Sequence, residues 1–223
     1  MTDFTSLVRS LTSGPRGAAP SVVNPYRDSD PALDRPGAAR QRRENLLAYL
    51  DRVGSPRVVL LGEAIGFRGG RFSGIAFTSE RQLAGEDGRR LPWAGPPFRA
   101  TSTRPGLWLE PSGSVVWSAL GGDPRGVLLW NAFPWHPHAA RGPLSNRTPE
   151  RKLLTANLHV LAELLAAVGG ARMIAVGRTA QAALGLLGVE APALRHPAYG
   201  GAAIFRRQLA DLLGGPAPEP VLR

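Results

Sequence analysis

The sequence predicts an α/β protein, a three-layer α/β/α sandwich around a central four-stranded parallel sheet. Two observations predict it. From Val58 onward, short apolar runs alternate with stretches of helical periodicity, the pattern of strands joined by helical crossovers. The runs at 58–61 and 128–130 are also continuously apolar, as in strands covered on both faces.

In chain order, residues 4–12 read as a short helix. Residues 14–36, rich in Pro, Gly, Ser and Asp, read as an extended N-terminal arm with no stable element of its own. ARQRRENLLAYLDRVG is a helix stopped by Gly54, and PRVVLLGEA is the first core strand. Residues 62–107 are dense in Gly, Pro and Arg and form a long loop region. Loops of that length inside compact domains are usually functional or mobile. EPSGSVVWSALGG fits a strand through Val115 and Val116, or a helix capped by Ser112 and stopped by Gly121. Alternation with the next strand, GVLLWNA, selects the helix. RTPERKLLTANLHVLAELLAAVGG reads as one helix, with Thr148 as cap and Pro149 in the first turn. Leu153, Leu154, Leu158, Leu161, Leu164 and Leu165 fall on its helical spacing. ARMIAVG is a strand, RTAQAALGLLG a helix, APALRHP a short strand and GAAIFRRQLADLLGG the last helix.

Composition narrows the function. The chain has 223 residues, 43% hydrophobic and 20% charged, which suits a single globular domain over 1–223. Cysteine is absent, which excludes disulfides, cysteine nucleophiles, Cys-ligated zinc and thiolate-held iron–sulfur clusters. The net charge is +10, and Lys152 is the sole lysine among many arginines. A basic excess of that size suits a phosphate-bearing partner, since neutralising phosphates releases counterions; general solubility is the plainer reading. No apolar run approaches the ~18 residues of a membrane span. The opening MTDFTSLVRSLTSG has no signal-peptide core. A cytoplasmic or nucleoid-associated monomer that avoids membranes is expected.

Ligands of parallel sheets bind beyond the carboxyl ends of the strands. Glu63, Asn131, Gly177 and His196 each fall at such an end. GEAIGFRGGRFSGIAFTSE, residues 62–80, is glycine-rich but carries neither the dinucleotide fingerprint nor a P-loop. Asn131 offers a planar amide that can pair with the edge of a pyrimidine-like ligand, or cap the next turn. His136 and His138, with His196, have the composition of a three-histidine zinc site, although Pro137 interrupts regular strand geometry between the first two. His196 stands in RHPAYGG before the last helix, where an anion would be stabilised; a turn histidine fixed by Pro197 is the plainer reading.

Taken in order, GEAIG, GIAF with Phe77, LLWNAFPWHP with Asn131, VGRTAQ and RHPAYGG with His196 resemble the motifs of the uracil-DNA glycosylase superfamily across roughly residues 55–213. The resemblance implies a DNA glycosylase that removes uracil or a related deaminated base. GEA with Glu63 resembles the branches that usually carry an iron–sulfur cluster, which a chain without cysteine cannot ligate that way, so no cofactor is expected. It implies base contacts from Phe77 and Asn131, with Ala64 at the motif position where the best-known branch has a water-orienting Asp. It implies leaving-group stabilisation by His196 and a carboxylate supplied by Glu63 or by Glu80 of FTSE. Arg68, Arg71, Arg178, Arg206 and Arg207 are the candidate phosphate contacts. Tyr199 and Gly200 lie near the family's duplex wedge. Two departures, Ala64 and the Ala198 that replaces the usual Ser after HP, leave a DNA-binding protein without catalysis as an alternative. A metal- or nucleotide-dependent enzyme on a similar sheet is a third reading.

Overall fold

A computed structural model describes residues 4–17, 20–85 and 90–214. Its centre is a four-stranded parallel sheet of β2 (Val58–Ala64), β3 (Val127–Phe133), β5 (Arg172–Val176) and β6 (Ala193–Leu194), in the order β3-β2-β5-β6. The strands are buried along nearly their whole length rather than on alternate residues. That is the burial expected when helices cover both faces. The flanking helices are α1 (Thr5–Ser13), α2 (Ala38–Val53), α5 (Pro111–Ala119), α6 (Arg151–Ala156), α7 (Leu158–Val168), α8 (Arg178–Leu186) and α9 (Ala202–Leu213), so the three-layer expectation holds. No helix among the described residues is long and apolar enough to cross a membrane.

Helix α2 shows why the sequence folds this way. Arg42, Asn45, Leu46, Tyr49, Leu50 and Val53 are buried at helical spacing and form one stripe. Tyr49 then does a second job: its hydroxyl oxygen accepts the Leu129 N–H of edge strand β3 at 2.8 Å. An edge N–H buried without a partner would destabilise the sheet. Gly54 terminates α2 with φ +68°, as its position in the sequence implies.

Four local expectations need correction. The arm at 14–36 is extended but not without an element. Its β1 (Val22–Val23) pairs antiparallel with β4 (His136–Pro137). Asn24, fully buried, donates to Leu11 O at 2.8 Å and Gly14 O at 2.6 Å, and the Tyr26 hydroxyl donates to Gly74 O at 3.0 Å. The 62–107 loop region holds two short helices, α3 (Gly70–Ser73) and α4 (Glu80–Ala84). The helix read across 147–170 is two helices, α6 and α7, that meet at Asn157. The Asn157 amide accepts the Arg16 N–H at 2.7 Å and donates to Leu153 O and Arg16 O, so its side chain ties the arm down where the helix breaks. Helix α5 starts at Pro111 behind Glu110 rather than at a Ser112 cap, and the tethered start of α6 likewise follows Glu150, past Thr148 and Pro149.

The arm is fixed by charge. Asp34 is buried and paired with both Arg42 of α2, at 2.8 Å, and Arg71 of α3, at 2.9 Å. Arg42 also donates to Pro25 O at 2.6 Å and Asp28 O at 2.7 Å. Burial pushes the Asp34 carboxyl up, but the Arg71 hydrogen bond and the two guanidinium charges outweigh it and hold the pKa below its ordinary value. The charged carboxylate therefore stabilises the fold at neutral pH, and that stabilisation is lost as pH falls through the depressed pKa. Asp34→Ala strands two buried cations, and denaturant unfolding at pH 7 is expected to show a loss of about 3–5 kcal/mol. Asp123→Ala, which breaks an exposed pair with Arg125, is expected to leave the midpoint unchanged.

Candidate active site

Because the four strands run parallel, their carboxyl ends lie along one edge, and three of the candidate residues collect there. The β2–β3 register sets Gly62 opposite Asn131. A Cβ on Gly62 would lie 2.4 Å from the Phe77 ring and 2.6 Å from Asn131 Oδ1, so only glycine lets these two side chains meet. Asn131 is 4% exposed, and its side-chain amide forms no hydrogen bond with the described residues. A planar amide so enclosed and unengaged is suited to a ligand with a complementary edge.

Phe77 is buried and holds φ +53°, an uncommon conformation for an aromatic residue. Its neighbours fix it. The Trp117 indole donates to Thr78 Oγ1 at 3.0 Å, and Gly113 of α5 backs onto the Phe77 carbonyl, which would lie 2.2 Å from a Cβ at that position.

His196 follows β6 and lies beside Gly177 at the end of β5; a Cβ there would sit 3.8 Å from the His196 Cβ. Burial lowers its pKa below the usual histidine value; the Glu63 charge opposes this and Arg195 adds to it. The neutral ring has its tautomer set, since Nδ1 accepts the Ala198 N–H at 3.1 Å. Nε2 therefore carries the proton and is the donor. Glu63, the charge that acts on His196, is itself anchored: Thr179 donates to its Oε2 at 2.6 Å. Thr179 has no sequence signal beyond its place in VGRTAQ.

The remaining candidates divide. Ala64 is half-buried at the end of β2 and brings no functional group. Glu80 is fully buried in the loop scaffold: Oε1 accepts the Thr101 and Ser102 N–H groups at 2.6 and 2.8 Å, and Oε2 the Ser102 hydroxyl at 2.5 Å. Its carboxylate is engaged in closing the loop. Arg71 is a correction. It is 1% exposed and pairs with Asp34, so it is not available to phosphate. Arg68, Arg178 and Arg207 are exposed, and Arg206 is half-buried. Tyr199 is 97% exposed with φ +52°, beside Gly200 at φ +76°. His136 is buried with both ring nitrogens 2.9 Å from carbonyl oxygens, those of Ile65 and Pro143. Burial pushes its pKa down to about 4. It joins the loop after β3 to the loop after β2, and no group of three or more potential metal ligands occurs among the described residues.

One carboxylate was not singled out in the sequence. Glu110, at the start of α5, caps no N–H group, its Oε2 is buried, and neither oxygen accepts a hydrogen bond from the described residues. Burial raises its pKa to about 7.

Gly113 gives a test of sign. Alanine is the better helix former by about 1 kcal/mol, yet here its methyl would meet a backbone carbonyl that cannot rotate away. Gly113→Ala is expected to lower the unfolding free energy, by about 1–3 kcal/mol as for other overpacked sites, when read by urea denaturation.

No curated protein matches the sequence. Among solved structures, the crystal structure of wild-type SMUG2 from Pedobacter heparinus is similar, with a TM-score of 0.62 and 17% identity over 96% of this chain and 98% of that one. At that identity the likeness concerns the fold. A family model described as the uracil DNA glycosylase superfamily matches residues 50–223, and the chain belongs to that superfamily.

Proposed function

We propose that the protein is a DNA glycosylase that hydrolyses the N-glycosidic bond of uracil or a related deaminated base, the first step of base excision repair. The observation that carries this reading is the unengaged Asn131 amide, enclosed against the Phe77 ring at the strand end. A flipped base would place its face on Phe77 and its edge on Asn131. A good bidentate pair discriminates between bases by about 1–3 kcal/mol. Bond cleavage leaves negative charge on the base, and His196 Nε2–H is the donor for it. Its fixed tautomer means no reorganisation is needed as the charge develops. Glu63, held by Thr179, adds negative charge close to His196, which favours the donor as it polarises.

The DNA itself would be met by the exposed Arg68, Arg178 and Arg207 and the half-buried Arg206. Tyr199, projecting from the loop after His196, is suited to fill the gap that a flipped base leaves in the stack. Its left-handed backbone and Gly200 turn the chain sharply there.

Ala64 favours a second reading, a protein that binds DNA without cleaving it, because the first-motif position offers no water-orienting group. Single-turnover assays on a uracil-containing single strand separate the two. Asn131→Ala and His196→Ala are expected to slow uracil release about 100-fold or more, with Glu63→Gln between them and Glu80→Gln, which should act mainly on stability. A wild-type rate equal to the buffer blank on uracil, hypoxanthine and xanthine substrates supports the binding-only reading. Oligonucleotide affinity should fall with salt, with a log–log slope of about −3 if four arginines each neutralise a phosphate on a single strand. A flat salt response contradicts the phosphate contacts.

A further inference from the structure

Three glycines of two different segments converge on the Glu110 carboxylate. A Cβ on Gly69 would lie 2.3 Å from Oε2, one on Gly66 would lie 3.0 Å from Oε1, and one on Gly113 would lie 3.1 Å from Oε2. The chain thus leaves room for a carboxylate between the first-motif loop and the start of α5. Gly66 is two residues past Ala64, at the carboxyl end of β2. Gly113 also backs onto the Phe77 carbonyl, so the carboxylate lies close to the main chain of the stacking residue. The space beside Gly66 is bordered by Glu110 Oε1 and by the Asn146 amide, whose Oδ1 accepts the Phe67 N–H at 2.9 Å. That leaves Asn146 Nδ2 facing the same space.

A structural glutamate in this position would cap the first turn of α5 or pair with an arginine. Among the described residues Glu110 does neither. A buried acceptor without a partner destabilises the fold, and such groups cluster where chemistry needs them. The charged groups on the surrounding elements are Arg68 beside Phe67, Arg71 in its pair with Asp34, Glu80 and Arg81 on α4, and Arg104 over the Trp108 ring. None of them shifts the Glu110 carboxyl, which responds to burial alone.

We infer that, on the glycosylase reading above, Glu110 is the base that receives the proton of the attacking water, the role that Ala64 leaves open. The water oxygen bonds to C1′ of the deoxyribose as the C1′–N bond breaks. The bonding pair leaves with the base nitrogen and is delocalised onto a base oxygen, where His196 Nε2–H stabilises it. The water proton passes to Glu110 and then to solvent, and the released base anion takes a proton from solvent. A carboxylate whose pKa is raised to about 7 is poised for this work near neutral pH.

The test is single-turnover release of uracil from a single-stranded oligonucleotide between pH 5.5 and 9, with binding measured by fluorescence anisotropy. The wild-type rate should rise with pH and level off above about 7. Glu110→Gln should lose about 100-fold at the plateau, show no such rise, and bind the oligonucleotide as the wild type does. Thermal melts provide a second readout. An acid with a raised folded pKa loses stability as pH climbs from its unfolded to its folded value, so Glu110→Gln should gain in melting temperature over the wild type between pH 4.5 and about 7. If Glu110→Gln does not fold, Gly66→Ala tests the same space with Glu110 intact and should slow release without weakening binding. A wild-type-like rate and pH profile in Glu110→Gln, or an unchanged rate in Gly66→Ala, overturns the role while leaving the glycosylase reading standing. A wild type that binds and releases nothing overturns that reading itself, and this role with it.

Discussion

The buried carboxylate of Asp34 is the interaction on which the candidate-site side of the molecule depends. Two guanidinium groups, from Arg42 and Arg71, lie in the core with almost no exposure. Neither position is tenable without an anion between them. By satisfying both, Asp34 joins the N-terminal arm to α2 and to α3. Helix α3 belongs to the glycine-rich segment that runs from β2 to Phe77. The same segment is tied to the arm a second time by the Tyr26 hydroxyl on Gly74. An extended N-terminal segment thus sets the shape of the loop that carries Phe77.

The carboxylates of the chain divide by what they touch. Asp34 faces cations, and Glu80 faces N–H and O–H donors from the 101–102 turn; both are stabilised in charged form by groups that never change. Glu63 has one hydroxyl donor and lies within electrostatic reach of His196. Glu110 Oε2 meets no donor among the described residues. Asp34 and Glu80 are thus fully engaged in the scaffold, while Glu63 and Glu110 lie beside the carboxyl end of β2 with fewer partners. That distribution is the one expected when stability is traded for reactivity.

Much of this was legible in the sequence, for physical reasons. Continuous apolar runs identified β2, β3 and β5 because strands covered on both faces need no polar residues. The ends of those runs then located Glu63, Asn131 and Gly177, and the end of the last, shorter strand located His196. Phe77 was legible only through the resemblance of GIAF to a family motif. What escaped were features made by residues distant in sequence. Nothing local tells that Arg71 faces Asp34 rather than solvent, and in a chain rich in arginine the exposed reading is the natural one. Asn157 sits in a run of helical leucines, and its bonds to Arg16 are invisible until the arm is placed. Glu110 resembled an ordinary residue before a proline helix start. Its isolation depends on glycines at 66, 69 and 113 meeting in space. The one signal available was Gly113 itself, a glycine inside a predicted helix, which asks for a close neighbour.

The corner formed by Phe77 and Asn131, with His196 beyond it, is proposed to receive a flipped base. The most direct measurement is a crystal structure with a single-stranded oligonucleotide carrying 2′-fluoro-deoxyuridine, whose fluorine slows cleavage by destabilising positive charge on the sugar. The account predicts the uracil ring stacked on Phe77, its edge paired with the Asn131 amide, and His196 Nε2 within hydrogen-bond distance of a base oxygen. A structure in which the oligonucleotide crosses the surface with its uracil outside that corner would contradict it.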